Sequence, residues 1–277
     1  MHPLALAVGK ADEADRHLAA LLDKGGIPAP VLDYCYNMLM SAAPRAIIFT
    51  NGDNDTYGTL ALQTARGLRP DVLVLNLSLL SQPEVRETMH ARLEDGDPLT
   101  ARRRAELWDE FRRNYARDRE MYSDKYLEAV AARAAAGELE RPVYLALTVH
   151  HRSIDALPHP RRLEGMLWRV LPGEGEAGER PMVAAPTWSL FRDTFRLESA
   201  TDLSLNWSTH RSIAQIMANY PAVLVRTADA AAKADDPETA RAALRRALAI
   251  ASFHEREGTV AAILEYWQDL DPDDPEL

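Results

Sequence analysis

Asp53 and Asp55 stand two apart in the run TNGDNDT, which spans Thr50 to Thr56 and carries Gly52 just ahead of them. Carboxylate oxygens at that spacing, beside a glycine that lets the backbone turn, suit a hard divalent cation such as Mg²⁺. Thr50, Asn51, Asn54 and Thr56 surround the pair with hydroxyl and amide groups, so the run equally suits a polar ligand that needs no metal. A structural role competes with both. Asn, Asp and Thr ahead of a helix accept hydrogen bonds from its first-turn amides and close Asx turns, and Asp55 or Thr56 fits that role. Capping needs one such residue and the run offers four Asn and Asp side chains, which favours ligand binding for the set.

Paired carboxylates also serve as acid and base in glycoside chemistry, but only when burial raises one of them, and the sequence gives no sign of that. The DND triplet resembles the DxD of nucleotide-sugar transferases and the DxDxT of phosphatases of the haloacid dehalogenase type. In the phosphatase pattern the first Asp ends its strand and a Thr or Val follows four residues on. Here Asp53 lies three residues past Thr50, and Tyr57 holds the fourth place. A Mg²⁺-dependent phosphohydrolase or transferase using Asp53 and Asp55 is the enzymatic alternative. His150 and His151 supply imidazoles suited to base or metal-ligand roles, with a solvated loop as the structural alternative. Gly52 and Gly58 do not complete a GxGxxG, and the acidic run repels a pyrophosphate unless a cation intervenes.

The elements that would position these residues are legible as apolar runs. Residues 47–49 end at Thr50, and residues 72–75 form a second run, with a helical stretch expected over 57–67. Short apolar runs without alternation, joined by a helix, indicate parallel strands covered on both faces in a βαβ unit, with the usual right-handed crossover. Residues 143–149 read as a third strand, and residues 166–172 as a fourth that pairs at an edge. Ligands of open α/β sheets sit beyond the strands' carboxyl ends. Those ends carry 50–56 after the first strand, Asn76 and Ser78 at the second, and Thr148, His150 and His151 at the third.

The remainder is helical or weakly patterned. Helices are expected over 11–24, stopped by Gly25-Gly26, and over 30–42, stopped before Pro44. The charged stretch 84–137 repeats Leu107, Phe111, Tyr115, Tyr122, Tyr126 and Val130 at helical spacing and reads as helices over the sheet. Residues 173–179 read as an acidic turn or loop, and 181–206 give weak signals. From 209 onward the pattern is helix, with Asp235-Asp236-Pro237-Glu238 as turn and cap. Ala240, Ala243, Leu244, Ala247, Leu248 and Ala251 form a small-residue face suited to a tetratricopeptide-like hairpin, and 258–270 supplies a third helix. The expected fold is an α/β, Rossmann-like domain over 1–206, its mostly parallel sheet flanked by helices, with the helical hairpin of 207–277 docked on it.

A net charge of -10 would repel phosphate backbones, and basic runs such as Arg102 to Arg104 are interleaved with acids, so nucleic acid is not an expected partner. Arg102 and Arg112 read as solvated helix faces with i,i+4 ion pairs. Cys35, the single cysteine, lies in an apolar helical stretch and reads as a buried, inert thiol. Trp188, Trp207 and Trp267 read as core or docking residues, or, if exposed beside the polar cluster, as a platform for a sugar ring. No apolar run reaches the ~18 residues of a membrane span, and the opening MHPLALAVGK lacks the regions of a signal peptide, so direct membrane insertion is not expected and the expected location is the cytoplasm.

TNGDNDT followed by a helix, then GLRPDVLVLNLSLL, RPVYLALTV and RLEGMLWRVLP, resembles in order the soluble domain of a bacterial family. Its full-length members carry a membrane region like that of protein O-mannosyltransferases. The resemblance runs from about Asp33 to Ile250. It implies a soluble recognition domain, of unassigned function in the family, for a polar ligand such as a glycan or a glycosylated acceptor. Its contacts would come from Thr50, Asn51, Asp53, Asn54, Asp55, Thr56, Asn76, Ser78, Thr148 and His150. As the excised tail of a membrane protein the domain would be extracytoplasmic. Glycosyl transfer itself does not carry over, because the membrane region is absent from this sequence. A third alternative is a module that captures a protein partner through its helical hairpin.

Overall fold

The computed structural model describes residues 11–82, 86–87, 89–90, 97–118, 121–173, 176–202, 211–253 and 257–270. Helices α1 (Ala11–Asp23) and α2 (Ala29–Ser41) precede strand β1 (Ile47–Thr50). Helix α3 (Asp53–Arg66) leads to β2 (Leu73–Asn76), which runs straight into the short α4 (Leu77–Leu80). Helices α5 (Ala101–Asp118) and α6 (Tyr122–Ala135) then return the chain to β3 (Val143–Ala146). The short α7 (His151–Asp155) is followed by β4 (Pro160–Glu164), β5 (Leu167–Val170) and β6 (Gly178–Arg180). Helix α8 (Ala184–Asp193), a 3₁₀ turn (Glu198–Thr201), α9 (Arg211–Met217), α10 (Asn219–Lys233), α11 (Pro237–Phe253) and α12 (Glu257–Leu270) complete the order.

The sheet order is β2-β1-β3-β5-β4-β6. Strand β1 pairs in parallel with β2 (Ile48 opposite Val74) and with β3 (Ile48 opposite Tyr144). Residues of β1 and β3 are buried along their whole length, as the unbroken apolar runs IIFT and VYLA require of central strands. The α/β class with a mostly parallel sheet flanked by helices is therefore as the sequence indicated. Strand β5 departs from expectation, because it is interior and antiparallel to β3 (Leu145 opposite Trp168). The edge is taken by β6, which pairs in parallel with β4. Residues 178–180, at the end of the expected acidic loop, are thus a strand, and β4, whose PRRLE lacks an apolar run, escaped the sequence pattern altogether.

The chain divides into two compact units. The first draws on 1–28, 42–162 and 167–180 and holds the polar residues of interest. Within it α1 packs on α3, and α6 packs on α4, β3 and β5. A clamp ties the strands' amino ends: Arg69 donates to the carbonyls of Ala42 (2.9 Å) and Ala43 (3.0 Å) and grips Asp71 through Nε (2.9 Å) and Nη2 (3.0 Å). Asp71 also accepts from the Arg45 amide (2.7 Å), and Arg141 bridges the carbonyls of Arg45 (2.8 Å) and Asp71 (3.1 Å). Hydrogen bonds from Arg69 hold the Asp71 carboxyl down at about 2. Arg69, Asp71 and Arg141 belong to the GLRPD and RPV blocks, and their work is done at the end of the sheet opposite the polar cluster.

The second unit, 29–41, 163–166 and 181–277, is mostly helical in its described parts and includes the end of β4. Asn37 is fully buried at its centre, exchanging both backbone bonds with Arg196 (2.8 Å each) and donating to the Tyr220 hydroxyl (2.8 Å). Cys35 is buried beside it in sequence, as expected. Helices α10 and α11 form the hairpin. Ala240, Ala243, Leu244, Ala247 and Ala251 are buried as the small-residue face foretold, while Ile250, not Leu248, completes it. Asp236 accepts from the Thr239 amide (3.1 Å) at the α11 start. Trp267 is core, Trp188 is half-buried, and Trp207 falls outside the described residues, as do the side chain of Tyr115 and parts of 84–137. Arg102 pairs with Glu106 one turn on (2.9 Å), and Arg112 is exposed.

Candidate functional site at the carboxyl ends of the central strands

The polar run is not a loop. Helix α3 begins at Asp53, so Asp53, Asn54, Asp55 and Thr56 form its first turn rather than leading up to a start at Tyr57. Local chemistry explains the shift. A helix start leaves its first amides without partners, and the usual remedy is a side chain at the capping position itself. That position is Gly52, extended at φ -109° and ψ 178°, which has no side chain to offer. Asp55, three residues into the helix, reaches back and accepts from the amides of Gly52 (2.8 Å) and Asn51 (3.0 Å). This is the returning half of a capping box, and it is invisible to a search for a residue before the helix.

Thr56 sits at the centre of a second set of bonds. Its hydroxyl donates to the Gly52 carbonyl (2.6 Å), and accepts from the Thr50 hydroxyl (2.7 Å) and the Asn76 amide (2.7 Å). One hydroxyl offers one proton and two lone pairs, so Thr56 has nothing left to give. Asn76 spends its second amide proton on the Gly52 carbonyl (3.2 Å), and its oxygen caps α4 through the Leu79 amide (2.9 Å). Ser78 donates to the Asn51 carbonyl (2.8 Å). Thr148, from the turn after β3, donates to the Asp55 carboxylate.

Sheet order gives that last bond its meaning. The chain passes from β1 to β2 on one side and returns to β3 on the other, so the switch point lies between β1 and β3. Ligands of open sheets enter the crevice there. In this protein Asp55 and Thr148 close it with their own side chains. Asp55 is 1% exposed, and burial pushes its carboxyl above the ordinary range, with the Thr148, Asn51 and Gly52 bonds pulling back.

Of the residues singled out by sequence, the structure thus brings Thr50, Asp55, Thr56, Asn76 and Thr148 into one buried network, with Asn51 and Ser78 joined at its surface. Asp53 faces solvent and Asn54 is half-buried. His150 is exposed; its Nδ1 accepts from the Arg152 amide (3.1 Å) at the start of α7, and its ring stacks on His151 with centroids 4.4 Å apart. Among the described residues no group of three or more His, Cys, Asp or Glu is arranged to hold a metal ion.

The residue the sequence reading passed over is Tyr57, one helical turn after Asp53. Its hydroxyl is buried with no hydrogen-bond partner among the described residues, and burial, with the Asp53 charge, raises its pKa above the ordinary tyrosine value. Its i,i+4 spacing from Asp53 was the available signal. A cavity of about 280 Å³ between α3 and β2 lies nearby, lined by Leu60, Gln63, Val72, Leu73 and Met89 among others and touching the network at Thr56 and Leu79.

Residues 31–135 match the family described as TMEM260-associated domain 2, a domain of unknown function. The matched span is under half of the chain and holds the TNGDNDT and NLSLL blocks, but neither RPVYLALTV nor RLEGMLWRVLP. No curated protein and no solved structure matches the chain. Among the described residues no helix is long and apolar enough to cross a membrane.

Proposed function

We propose that this end of the sheet is a recognition surface for a hydroxyl-rich ligand, a glycan or a glycosylated acceptor, centred on Asp53 and Tyr57 of α3. The observation that carries the reading is the contrast between two carboxylates. Asp55 is buried with its oxygens engaged by Asn51, Gly52 and Thr148, whereas Asp53 is exposed one helical turn from Tyr57, whose buried hydroxyl has no partner among the described residues. A carboxylate accepts from sugar hydroxyls, and an aromatic ring packs against the apolar face of a pyranose. The internal network supports the same reading, since a ligand surface is most selective when its scaffold is already fixed. The resemblance to an O-mannosyltransferase-like family directs the choice of sugar to mannose.

Amide-resolved NMR titration of the full chain with methyl α-mannoside and with a mannosylated peptide tests it. The expected result is a set of shifts around Asp53, Tyr57 and Ser78, abolished by Asp53→Ala and weakened by Tyr57→Phe, two changes at side chains outside the Asp55 network. Absence of any shift with either ligand sinks the proposal. Binding that appears only with Mg²⁺ present would place a cation at Asp53 and replace recognition by metal-dependent chemistry.

A further inference from the structure

Arg86 and His90 are four residues apart, both with helical backbone, and the Arg86 amide donates to the Gln82 carbonyl (2.9 Å). Residues so spaced share one face. Both are polar and both are buried, at 7% and 5% exposure. Their face lies against α6, where Tyr122 and Tyr126 are also four apart. The Arg86 guanidinium carbon is 4.8 Å from the Tyr122 ring centroid, and the His90 ring centroid is 5.4 Å from that of Tyr126. Trp108 of α5 covers the same guanidinium at 3.9 Å.

Asp97 organises the cluster without completing it. Its Oδ2 meets His90 Nδ1 (2.8 Å) and accepts from Arg104 (2.6 Å). Its Oδ1 accepts from the Tyr126 hydroxyl (3.0 Å) and the Leu99 amide (2.9 Å). Both oxygens are engaged elsewhere, so neither serves Arg86. Among the described residues the acid paired with Arg86 is Glu87, at 3.3 Å from Nε, and the Glu87 side chain is 74% exposed, where water screens it. Arg86 therefore has no buried carboxylate partner among the described residues, Asp97 being taken up by His90, Arg104, Tyr126 and Leu99. Arg86 Nη1 and His90 Nε2 are both buried and have no hydrogen-bond partner among the described residues. Leaving such groups unsatisfied is costly, and an unpaired buried charge costs more than a neutral one.

We propose that Arg86 and His90 form a binding site for a small oxyanion, with one anion oxygen on Arg86 Nη1 and another on His90 Nε2. A guanidinium carries donors only, in a planar fork that matches phosphate and carboxylate geometry. Water would satisfy the two nitrogens but leave the excess positive charge, whereas an anion answers both needs. Asp97 fixes the imidazole through Nδ1 and so keeps Nε2 directed at the ligand. A neutral imidazole accepts a hydrogen bond at Nε2 from a protonated oxyanion, and a protonated one donates a hydrogen bond to an ionised oxyanion. The aromatic walls of Trp108 and Tyr122 dehydrate the guanidinium and strengthen the charge-assisted bond.

Thermal unfolding of the full chain in sodium phosphate, sodium acetate and sodium chloride at matched ionic strength is the test. An anion bound only by the folded state raises the midpoint, by about 2–4 °C near ten times its dissociation constant. The expected result is such a rise in phosphate or acetate over chloride, with the larger rise naming the phosphate or carboxylate source, and its loss in Arg86→Met, which keeps the aliphatic stem. Side-chain ¹⁵N NMR of the wild type guards against a variant that does not fold: the His90 Nε2 resonance should move with phosphate or acetate and stay still with chloride. Equal midpoints in all three salts, an unmoved Nε2 resonance, or an undiminished rise in a folded Arg86→Met would each overturn the proposal.

Discussion

The Thr148 hydroxyl donates to the Asp55 carboxylate across a sequence separation of 93 residues, joining the first turn of α3 to the turn after β3. The bond spans the switch point of the sheet and makes the crevice there part of the protein's own interior. Thr148→Val keeps the shape and removes the donor, leaving one lone-pair site of a buried carboxylate empty. The expected loss is about 1–3 kcal/mol of unfolding free energy, with Thr148→Ser close to wild type, measured by urea denaturation.

Asp55 and Asp53 should respond unequally to the same substitution. Asp55→Asn sets an amide group against the N–H donors of Asn51 and Gly52 or the Thr148 hydroxyl and should cost more stability at pH 7 than Asp53→Asn, which alters an exposed side chain. Because the folded carboxyl of Asp55 is raised by burial, its contribution is fully present below the unfolded value and declines as pH climbs through the folded one. The stability gap between wild type and Asp55→Asn should therefore narrow as pH climbs above the ordinary aspartate value, and a gap flat in pH would contradict the burial argument.

Asp71 gives the reverse dependence. Its folded value of about 2 lies below the ordinary 3.8, so its stabilisation is present above the unfolded value and is lost as pH falls through the folded one. Its side chain is 34% exposed, and after allowance for solvent screening the contribution is about 1 kcal/mol. Acid titration from pH 5 to pH 2 should show wild type losing this increment relative to Asp71→Asn.

In the second unit, Asn37→Ala removes the partner of the Arg196 amide and carbonyl and of the buried Tyr220 hydroxyl. A loss of about 2–4 kcal/mol is expected, read as a lowered midpoint in thermal unfolding.

The α10–α11 hairpin depends on the absence of side-chain volume. Ala243 and Ala247 are fully buried, so Ala247→Leu overpacks the interface and should cost about 1–3 kcal/mol, whereas Ala249→Leu, at an exposed position of the same helix, should be nearly neutral.

The sequence by itself determined the elements whose signal is local. IIFT and VYLA read as buried strands because burial on both faces leaves no room for alternation, and the alanines of α11 declared a close-packed hairpin by their size. It also determined which residues would gather at the strand ends, since parallel pairing puts successive carboxyl ends side by side. Only the tertiary structure decided how those residues are used. TNGDNDT read as a loop because Gly52 hides the cap, and the capping carboxylate comes from inside the helix. PRRLE shows no strand pattern because its place is fixed by neighbours on either side rather than by its own side chains. The division between Asp55, consumed by Thr148, and Asp53, open to solvent, depends on a partner 93 residues away. No local pattern contains it, because hydrogen-bond satisfaction in a buried site is set by what the fold brings near and not by what the chain places adjacent.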